Sequence, residues 1–290
     1  IGDYCDGFSI HPYNVALQPE SDEAKSDVYD IVALMEKYGL SHKELVFSEY
    51  GWTSSVNYIS DETQANYTVR GACEYQDVVD HIYWYNLQEK TTGTMSDAEL
   101  HFGMIRGWQN VEIPYEPKPV FLALSNYNRL MTGSKKVGEI SHSNENVHIN
   151  LFNNENGTNT IVAWAQEGNI RTALDTGLEK VTLCDLYGNE TVISTNNGVV
   201  DLTLTPEPVY ITGTNLNNAK EAEATINIMQ DEVTAVEEDT AFITGKVSNK
   251  NSKIEVICPD NIEVSKISQI GQDGSFRVDL KTGADGKDKE

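Results

Sequence analysis

The sequence predicts an α/β unit followed by two all-β units, and three observations carry that expectation. Within residues 1–133, short apolar runs that read as strands alternate three times with stretches of helical spacing. From Lys135 the period shortens to alternating strands set apart by turn clusters such as Asn153-Asn154-Glu155-Asn156-Gly157 and Asn196-Asn197-Gly198. In Leu45-Val46-Phe47-Ser48-Glu49-Tyr50-Gly51-Trp52 an apolar run ends in a carboxylate and a glycine turn, as a buried strand opening into a loop does. Strand–helix alternation implies parallel strands joined by right-handed crossovers, in an open doubly wound sheet or a (β/α)8 barrel. No glycine-rich phosphate loop favours the open form. Three units cannot close a barrel, which takes about 250 residues, so the expected class is α/β plus all-β: an incomplete (β/α)8 barrel, a β-sandwich and a further β module.

Taken in order, Tyr4 to Ile10 reads as a strand stopped at His11-Pro12-Tyr13-Asn14. A helix follows from about Asp22 to Tyr38, with Val28, Ile31, Val32 and Met35 at helical spacing and Gly39 ending it. After the strand Leu45 to Glu49, Ser60 or Asp61 caps a helix whose buried face holds Ala65, Val69, Ala72 and Cys73. The third strand spans about Val78 to Tyr85, and Asn86 to Pro117 has no clear period, the mark of a functional loop or a disordered one. Pro119 suits the first turn of a helix with Val120, Ala123, Leu124, Tyr127 and Leu130 on one face before Gly133. Residues 134–213 read as the β-sandwich, 214–223 as a polar linker, and 224–290 as a β module with turns at Asn249 and Asp273-Gly274.

Composition narrows the function classes. The 290 residues allow two or three domains, and 39% hydrophobic with 23% charged residues is ordinary for a globular chain. No apolar run approaches the roughly 18 residues of a membrane span, so membrane insertion is not expected. A formal charge of -24 makes nucleic acid and anionic lipid poor partners and suits a neutral ligand. Cys5, Cys73, Cys184 and Cys258 lack metal-ligand spacing and read as structural thiols. No charged-then-apolar leader precedes the first strand, so the chain is expected to begin within a longer protein.

Glu49 stands where the chain leaves the apolar core, beside low-dielectric walls and within reach of a substrate, which makes it the candidate catalytic residue. Strand parity puts His11 and Tyr13 on one side of their strand. The residues alone leave open a solvated Glu49, a His-Pro-Tyr that only ends a strand, and a Trp84 that only fills the core.

Four stretches then agree: Asp6-Gly7-Phe8-Ser9-Ile10-His11-Pro12-Tyr13, Phe47-Ser48-Glu49-Tyr50-Gly51-Trp52, Ile82-Tyr83-Trp84-Tyr85-Asn86-Leu87, and Phe102-Gly103-Met104 with Lys118-Pro119. In order and spacing they resemble the last three strand–helix units of clan A retaining glycoside hydrolases, of the β-xylosidase and α-iduronidase type or their cellulase-like relatives. Asp185-Leu186-Tyr187-Gly188-Asn189 and Pro206-Glu207-Pro208-Val209-Tyr210-Ile211 look like the sandwich that many of them carry, so the resemblance covers roughly residues 3 to 213. It implies that Glu49 is the nucleophile of a double displacement, that Tyr13 hydrogen-bonds it, that His11 orients the pocket, and that Trp84 forms the floor under the sugar. Trp52, Trp108 and Tyr115, in loops after strands, are candidates for outer sugar subsites. No cofactor or metal is implied.

The resemblance also requires a Glu preceded by Asn as acid/base, at the end of a fourth strand that this chain does not contain. Asn144-Glu145, Asn154-Glu155 and Asn189-Glu190 have the right letters but fall in turns of the sandwich. The expectation is therefore a fragment of an extracellular or cell-surface glycosidase acting on a poly- or oligosaccharide, inactive alone. Thr244-Gly245-Lys246-Val247-Ser248-Asn249 and Asp273-Gly274-Ser275-Phe276 resemble immunoglobulin-like modules of bacterial surface proteins, which implies cell-wall or surface association. The alternative is a non-catalytic glycan-binding surface protein with a degenerate barrel. An intact carboxylate flanked by His11, Tyr13 and Trp84 favours the enzyme, because binding alone does not need one under the anomeric carbon.

Overall fold

The computed structural model describes residues 4–94, 96–108, 112–222, 226–228, 240–247, 254–256, 258, 262–271 and 273–282. The first unit runs β1 (Gly7–Ile10), α1 (Asp22–Lys37), β2 (Glu44–Tyr50), α2 (Asp61–Tyr75), β3 (His81–Trp84) and α3 (Pro119–Met131). Ser21 caps α1 by accepting from the Ala24 amide at 3.3 Å, and Ser60 caps α2 by accepting from the Thr63 amide at 3.1 Å. Proline opens α3, where its missing N–H is no loss. β1, β2 and β3 pair in parallel in that order, with Ile10 opposite Phe47 and Tyr50 opposite Trp84. Val28, Met35, Leu45, Phe47, Tyr50, Trp52 and Tyr75 fill the space between this sheet and its helices.

This unit corrects the expectation of an incomplete (β/α)8 barrel. Its sheet is an open one of three strands, and among the described residues the chain is dominated by β-structure, with three α-helices against sixteen strands in four sheets. Strand–helix alternation dictates parallel pairing, but closure needs partners on both edge strands, and a local pattern carries no information about them.

A second region follows with β4 (Lys135–Glu139), β5 (Val147–Asn153), β6 (Asn159–Ala165), β7 (Ile170–Asp175), β8 (Lys180–Cys184), β9 (Glu190–Ser194), β10 (Val199–Leu204), β11 (Val209–Gly213) and β12 (Lys220–Glu221). A six-stranded antiparallel sheet, β4-β5-β6-β11-β8-β9, faces a three-stranded one, β10-β7-β12. Ile149, Leu151, Ile161 and Ala163 of the first meet Leu174, Val200 and Leu204 of the second. The segment read as a linker joins this sandwich: Leu216 is buried in its core, and Lys220 and Glu221 pair with Asp175 and Leu174.

The far face of the six-stranded sheet packs on the helices. Phe152, Val162, Trp164 and Tyr210 contact Ala65, Val69 and Cys73 of α2 and Val120 and Ala123 of α3 in one cluster. β6 is therefore buried on both faces, which is why Thr160-Ile161-Val162-Ala163-Trp164-Ala165 reads as an unbroken run with little polar content rather than as an alternation. Across the unit, Arg70 of α2 donates to both oxygens of Glu20 at 2.6 Å and to Gln18 at 2.8 Å, with Arg70 and Glu20 sealed from solvent. This bidentate pair ties the chain after β1 to α2.

The remaining strands, β13 (Ile226–Ile228), β14 (Thr240–Val247), β15 (Ile262–Ile267) and β16 (Ser275–Thr282), form one antiparallel sheet in the order β13-β14-β16-β15. Of the region read as a partial immunoglobulin-like module, the described residues show this one four-stranded sheet. The turn expected at Asn249 lies outside the described residues, whereas Gly274 turns at φ 77° against Val247.

Trp164→Ala should cost about 3–5 kcal/mol, because it empties the layer between sheet and helices, and urea unfolding followed by far-UV circular dichroism measures the loss.

Candidate active site

Parallel register brings the C-terminal ends of β1 and β2 together. His11 follows Ile10 as Ser48 follows Phe47, and the His11 Nε2 and Ser48 Oγ lie 2.9 Å apart. Ser48 Oγ is also 2.5 Å from Ser9 Oγ. The His11 Nδ1 is 3.6 Å from Glu49 Oε2, and the Tyr13 hydroxyl donates to that same oxygen at 3.2 Å. Glu49 and His11 are 42% and 50% exposed, so a ligand can reach both.

Glu49 faces outward because the strand breaks its own alternation. Leu45 and Phe47 point into the core, and continued parity would send Glu49 after them. The pairing of β2 with β3 slips between Phe47 and Tyr50, and Tyr50 takes the buried position instead. Such an irregularity re-aims a side chain at low cost. Gly51 then crosses so close to β3 that a Cβ there would lie 2.5 Å from the Tyr85 carbonyl oxygen.

Aromatic rings wall the cluster. The Tyr13 ring meets Phe102 edge-on at 5.6 Å and Tyr85 at 6.2 Å, and these two meet each other at 5.5 Å. Burial, and then the charge of Glu49, hold the Tyr13 phenol above the usual tyrosine range. It stays a hydrogen-bond donor through neutral pH.

Phe102 belongs to the long segment without period, which is ordered by polar contacts. Gln64 of α2 donates to the carbonyls of Trp52 at 2.7 Å and Phe102 at 3.2 Å. Lys118 is completely buried, and its ammonium reaches Ser54 Oγ at 2.8 Å, Glu89 Oε1 at 3.0 Å, the His101 carbonyl at 3.1 Å and Asp61 Oδ1 at 3.4 Å. Arg106 pairs with Asp61 as well. Burial pulls the Lys118 pKa below the usual lysine value, opposed by the charges of Glu89 and Asp61. Burial acts to raise the Asp61 carboxyl, but the Ser54 hydrogen bond and the charges of Lys118 and Arg106 outweigh it and hold it low.

The expected residues thus separate. His11 and Tyr13 meet Glu49. Trp84 is half-buried, its ring 5.6 Å from Tyr50. Trp52 is 1% exposed and donates its indole N–H to the Leu17 carbonyl, so it braces the core and has no face to offer a ligand. Trp108 and Tyr115 are exposed. Ser9, Ser48, Tyr85, Phe102 and Lys118 were not singled out for the site by sequence reasoning. Ser9 and Ser48 could have been found from the register of β1 and β2; Phe102 and Lys118 depend on how the long loop folds. Among the described residues no group of three or more His, Cys, Asp or Glu side chains is placed to hold a metal ion, and no helix is long and apolar enough to cross a membrane. A cavity of about 550 Å³ lies at the opposite end of β2, lined by Lys43, Leu45, Asp77 and Asp80, away from this chemistry.

No family model matches the chain, and no curated protein matches it. Among solved structures, its neighbours are glycoside hydrolases. A family 39 glycoside hydrolase from the gut symbiont Bacteroides cellulosilyticus WH2 superposes with a TM-score of 0.58 at 22% identity, covering 72% of this chain and 44% of that one. At that identity the likeness is one of fold. More distant are the catalytic domain of a family 30 xylanase C from Talaromyces cellulolyticus (TM-score 0.44, 13% identity, 71% and 52% covered) and a family 51 arabinofuranosidase from Xanthomonas axonopodis pv. citri (0.45, 11%, 72% and 53%). The chain spans about half of the length of these proteins, or less.

Two outcomes are expected. Lys118→Met should lower stability at pH 7 by about 3–5 kcal/mol, because it removes the buried ammonium and leaves Asp61 and Glu89 to share the Arg106 guanidinium. Asp61's lowered pKa supports the wild-type fold above the unfolded value of about 4 and ceases to as pH falls through the folded value. In Lys118→Met that acid loss should begin at higher pH in urea unfolding series. Separately, Glu49→Gln should lower the Tyr13 titration midpoint by removing the adjacent negative charge, read by NMR of Cζ-labelled tyrosine with Tyr13→Phe as the assignment control.

Proposed function

We propose that this chain carries the nucleophile side of a retaining glycoside hydrolase that cleaves O-glycosidic bonds of a poly- or oligosaccharide. One observation supports it above the rest: an accessible carboxylate, Glu49, held at a strand end by the Tyr13 hydroxyl with His11 beside it. Tyr13 engages Oε2, which orients the carboxylate and leaves Oε1 for attack.

In this reading Oε1 of Glu49 attacks the anomeric carbon as the bond to the leaving oxygen breaks, and a second carboxylic acid about 5 Å away gives that oxygen its proton. Water, deprotonated by the same acid in its basic form, then displaces Glu49 from the glycosyl ester with net retention. No other carboxylate bonds to Glu49, His11 or Tyr13 among the described residues, and we place the acid/base outside this chain. Two carboxylates complete the chemistry without a cofactor. A Tyr13 that remains protonated donates to Glu49 most strongly when the carboxylate is charged, before attack and again as the ester breaks. The formal charge of -24 fits a neutral saccharide better than a polyanion. Because its substrate is a polysaccharide, we place the protein outside the cell or at its surface, with the C-terminal β module serving attachment.

The test is mechanism-based labelling. A 2-deoxy-2-fluoro glycoside incubated with the full-length protein that contains this chain should esterify Glu49, identified by peptide mass spectrometry, and Glu49→Gln should lose turnover by at least about 10⁴-fold. Label on another residue, or turnover retained in Glu49→Gln, overturns the assignment. Hydrolysis of 4-nitrophenyl glycosides by the 290 residues alone would overturn the placement of the acid/base outside them.

A further inference from the structure

Beside the Glu49 cluster lies a second polar group that the double displacement does not use. Glu99 sits in the short turn Ala98–Leu100, capped by Asp97, which accepts from the Glu99 amide at 3.1 Å. That turn is fastened to the chain just after β2: Thr53 Oγ1 donates to the Ala98 carbonyl at 2.6 Å, and the Ser54 amide donates to the His101 carbonyl at 3.1 Å. Tyr85 is fastened to the same strand end, its amide donating to the Tyr50 carbonyl at 2.8 Å. Glu99 and Tyr85 are therefore both anchored within five residues of Glu49.

Their side chains converge. Glu99 Oε2 accepts from Lys90 Nζ at 2.6 Å and from the Tyr85 hydroxyl at 3.3 Å, and Lys90 Nζ stands 5.9 Å from the centre of the Tyr85 ring. That ring packs against Tyr13, which holds Glu49. Both bonds end on Oε2, which leaves Oε1 to accept, and the Lys90 ammonium keeps a hydrogen to donate beyond those it gives Glu99 and Tyr85. Glu99 and Lys90 are 59% and 47% exposed. An ordinary surface ion pair with this exposure contributes little to stability. This one is instead shared with a phenol in the wall of the candidate active site and presents an acceptor and a donor side by side to solvent.

We infer that Lys90, Glu99 and Tyr85 form a sugar-recognition subsite next to Glu49, selective for a neutral ring with adjacent hydroxyls. The inference rests on the reading of Glu49 as nucleophile and names the class of sugar taken there. Neighbouring hydroxyls each donate and accept, and so match a fixed carboxylate–ammonium pair. A uronate does not, because Glu99 already neutralises Lys90 and would repel a second carboxylate.

The experiment measures kcat/KM in the full-length protein on 4-nitrophenyl glycosides of neutral pentoses and hexoses and on the matching uronides, for wild type, Glu99→Gln, Lys90→Met and Glu49→Gln. Glu99→Gln should lose about tenfold or more on the neutral sugar and raise the uronide-to-neutral ratio, because Lys90 is then uncompensated. Lys90→Met should lose on the neutral sugar and lower that ratio, because Glu99 is then uncompensated and repels the uronide carboxylate. Unchanged kinetics in Glu99→Gln and Lys90→Met, or equal losses on both substrate classes, overturn the subsite while Glu49→Gln still abolishes turnover. Turnover surviving in Glu49→Gln removes the nucleophile reading and the subsite with it.

Discussion

A buried ammonium holds the candidate site together. Lys118 has no contact with water, so its charge is tolerable only because Glu89, Asp61, Ser54 and the His101 carbonyl surround it. Those partners come from three places: the chain after β2, the start of α2, and the long segment after β3. Their convergence folds that segment down, puts Phe102 against Tyr13, and places Glu99 beside Tyr85. Gly103 shows how tight the fit is, since a Cβ there would meet the Glu89 amide nitrogen at 2.1 Å. A shorter or apolar side chain at 118 would leave Asp61 and Glu89 to share the Arg106 guanidinium in the same space.

Packing supplies the platform under that arrangement. β6 contributes Ile161, Ala163 and Ala165 to the sandwich core and Val162 and Trp164 to the layer against α2 and α3. The sandwich is thus continuous with the helices that carry Asp61 and follow Lys118. α2 serves three purposes along its length: its first residue binds the Lys118 cluster, Gln64 holds the Trp52 and Phe102 carbonyls, and Arg70 clamps Glu20 in the chain that leads on from Tyr13. A helix this committed to polar partners carries little apolar asymmetry, and most of its length is buried.

Local rules read much of this correctly. Helix limits followed from Gly39, Ser60 and Pro119, whose capping chemistry acts within a few residues. His11 and Tyr13 were grouped with each other from strand parity, and they do converge with Glu49. Trp52 was misplaced because an aromatic in a loop looks the same in sequence whether it faces water or core. Here its indole N–H finds the Leu17 carbonyl, far along the chain. The expectation of a barrel failed for a related reason: alternation describes each strand's neighbours on one side, and closure concerns the edges.

The sequence by itself determined which residues form strands and helices, that the first three strands run parallel, and that Glu49 ends the second of them. These depend on backbone propensity, capping and periodicity, all of which act over a few residues. Only the tertiary structure decided that Glu49 faces outward, through the slip between Phe47 and Tyr50, and that Tyr13 holds its Oε2. Only it decided that Lys118, fifty-seven positions beyond Asp61 in the chain, shares a buried cluster with it. Contacts of that kind are selected by the free energy of leaving a charge or an aromatic ring without a partner, and no local pattern records where the partner will be.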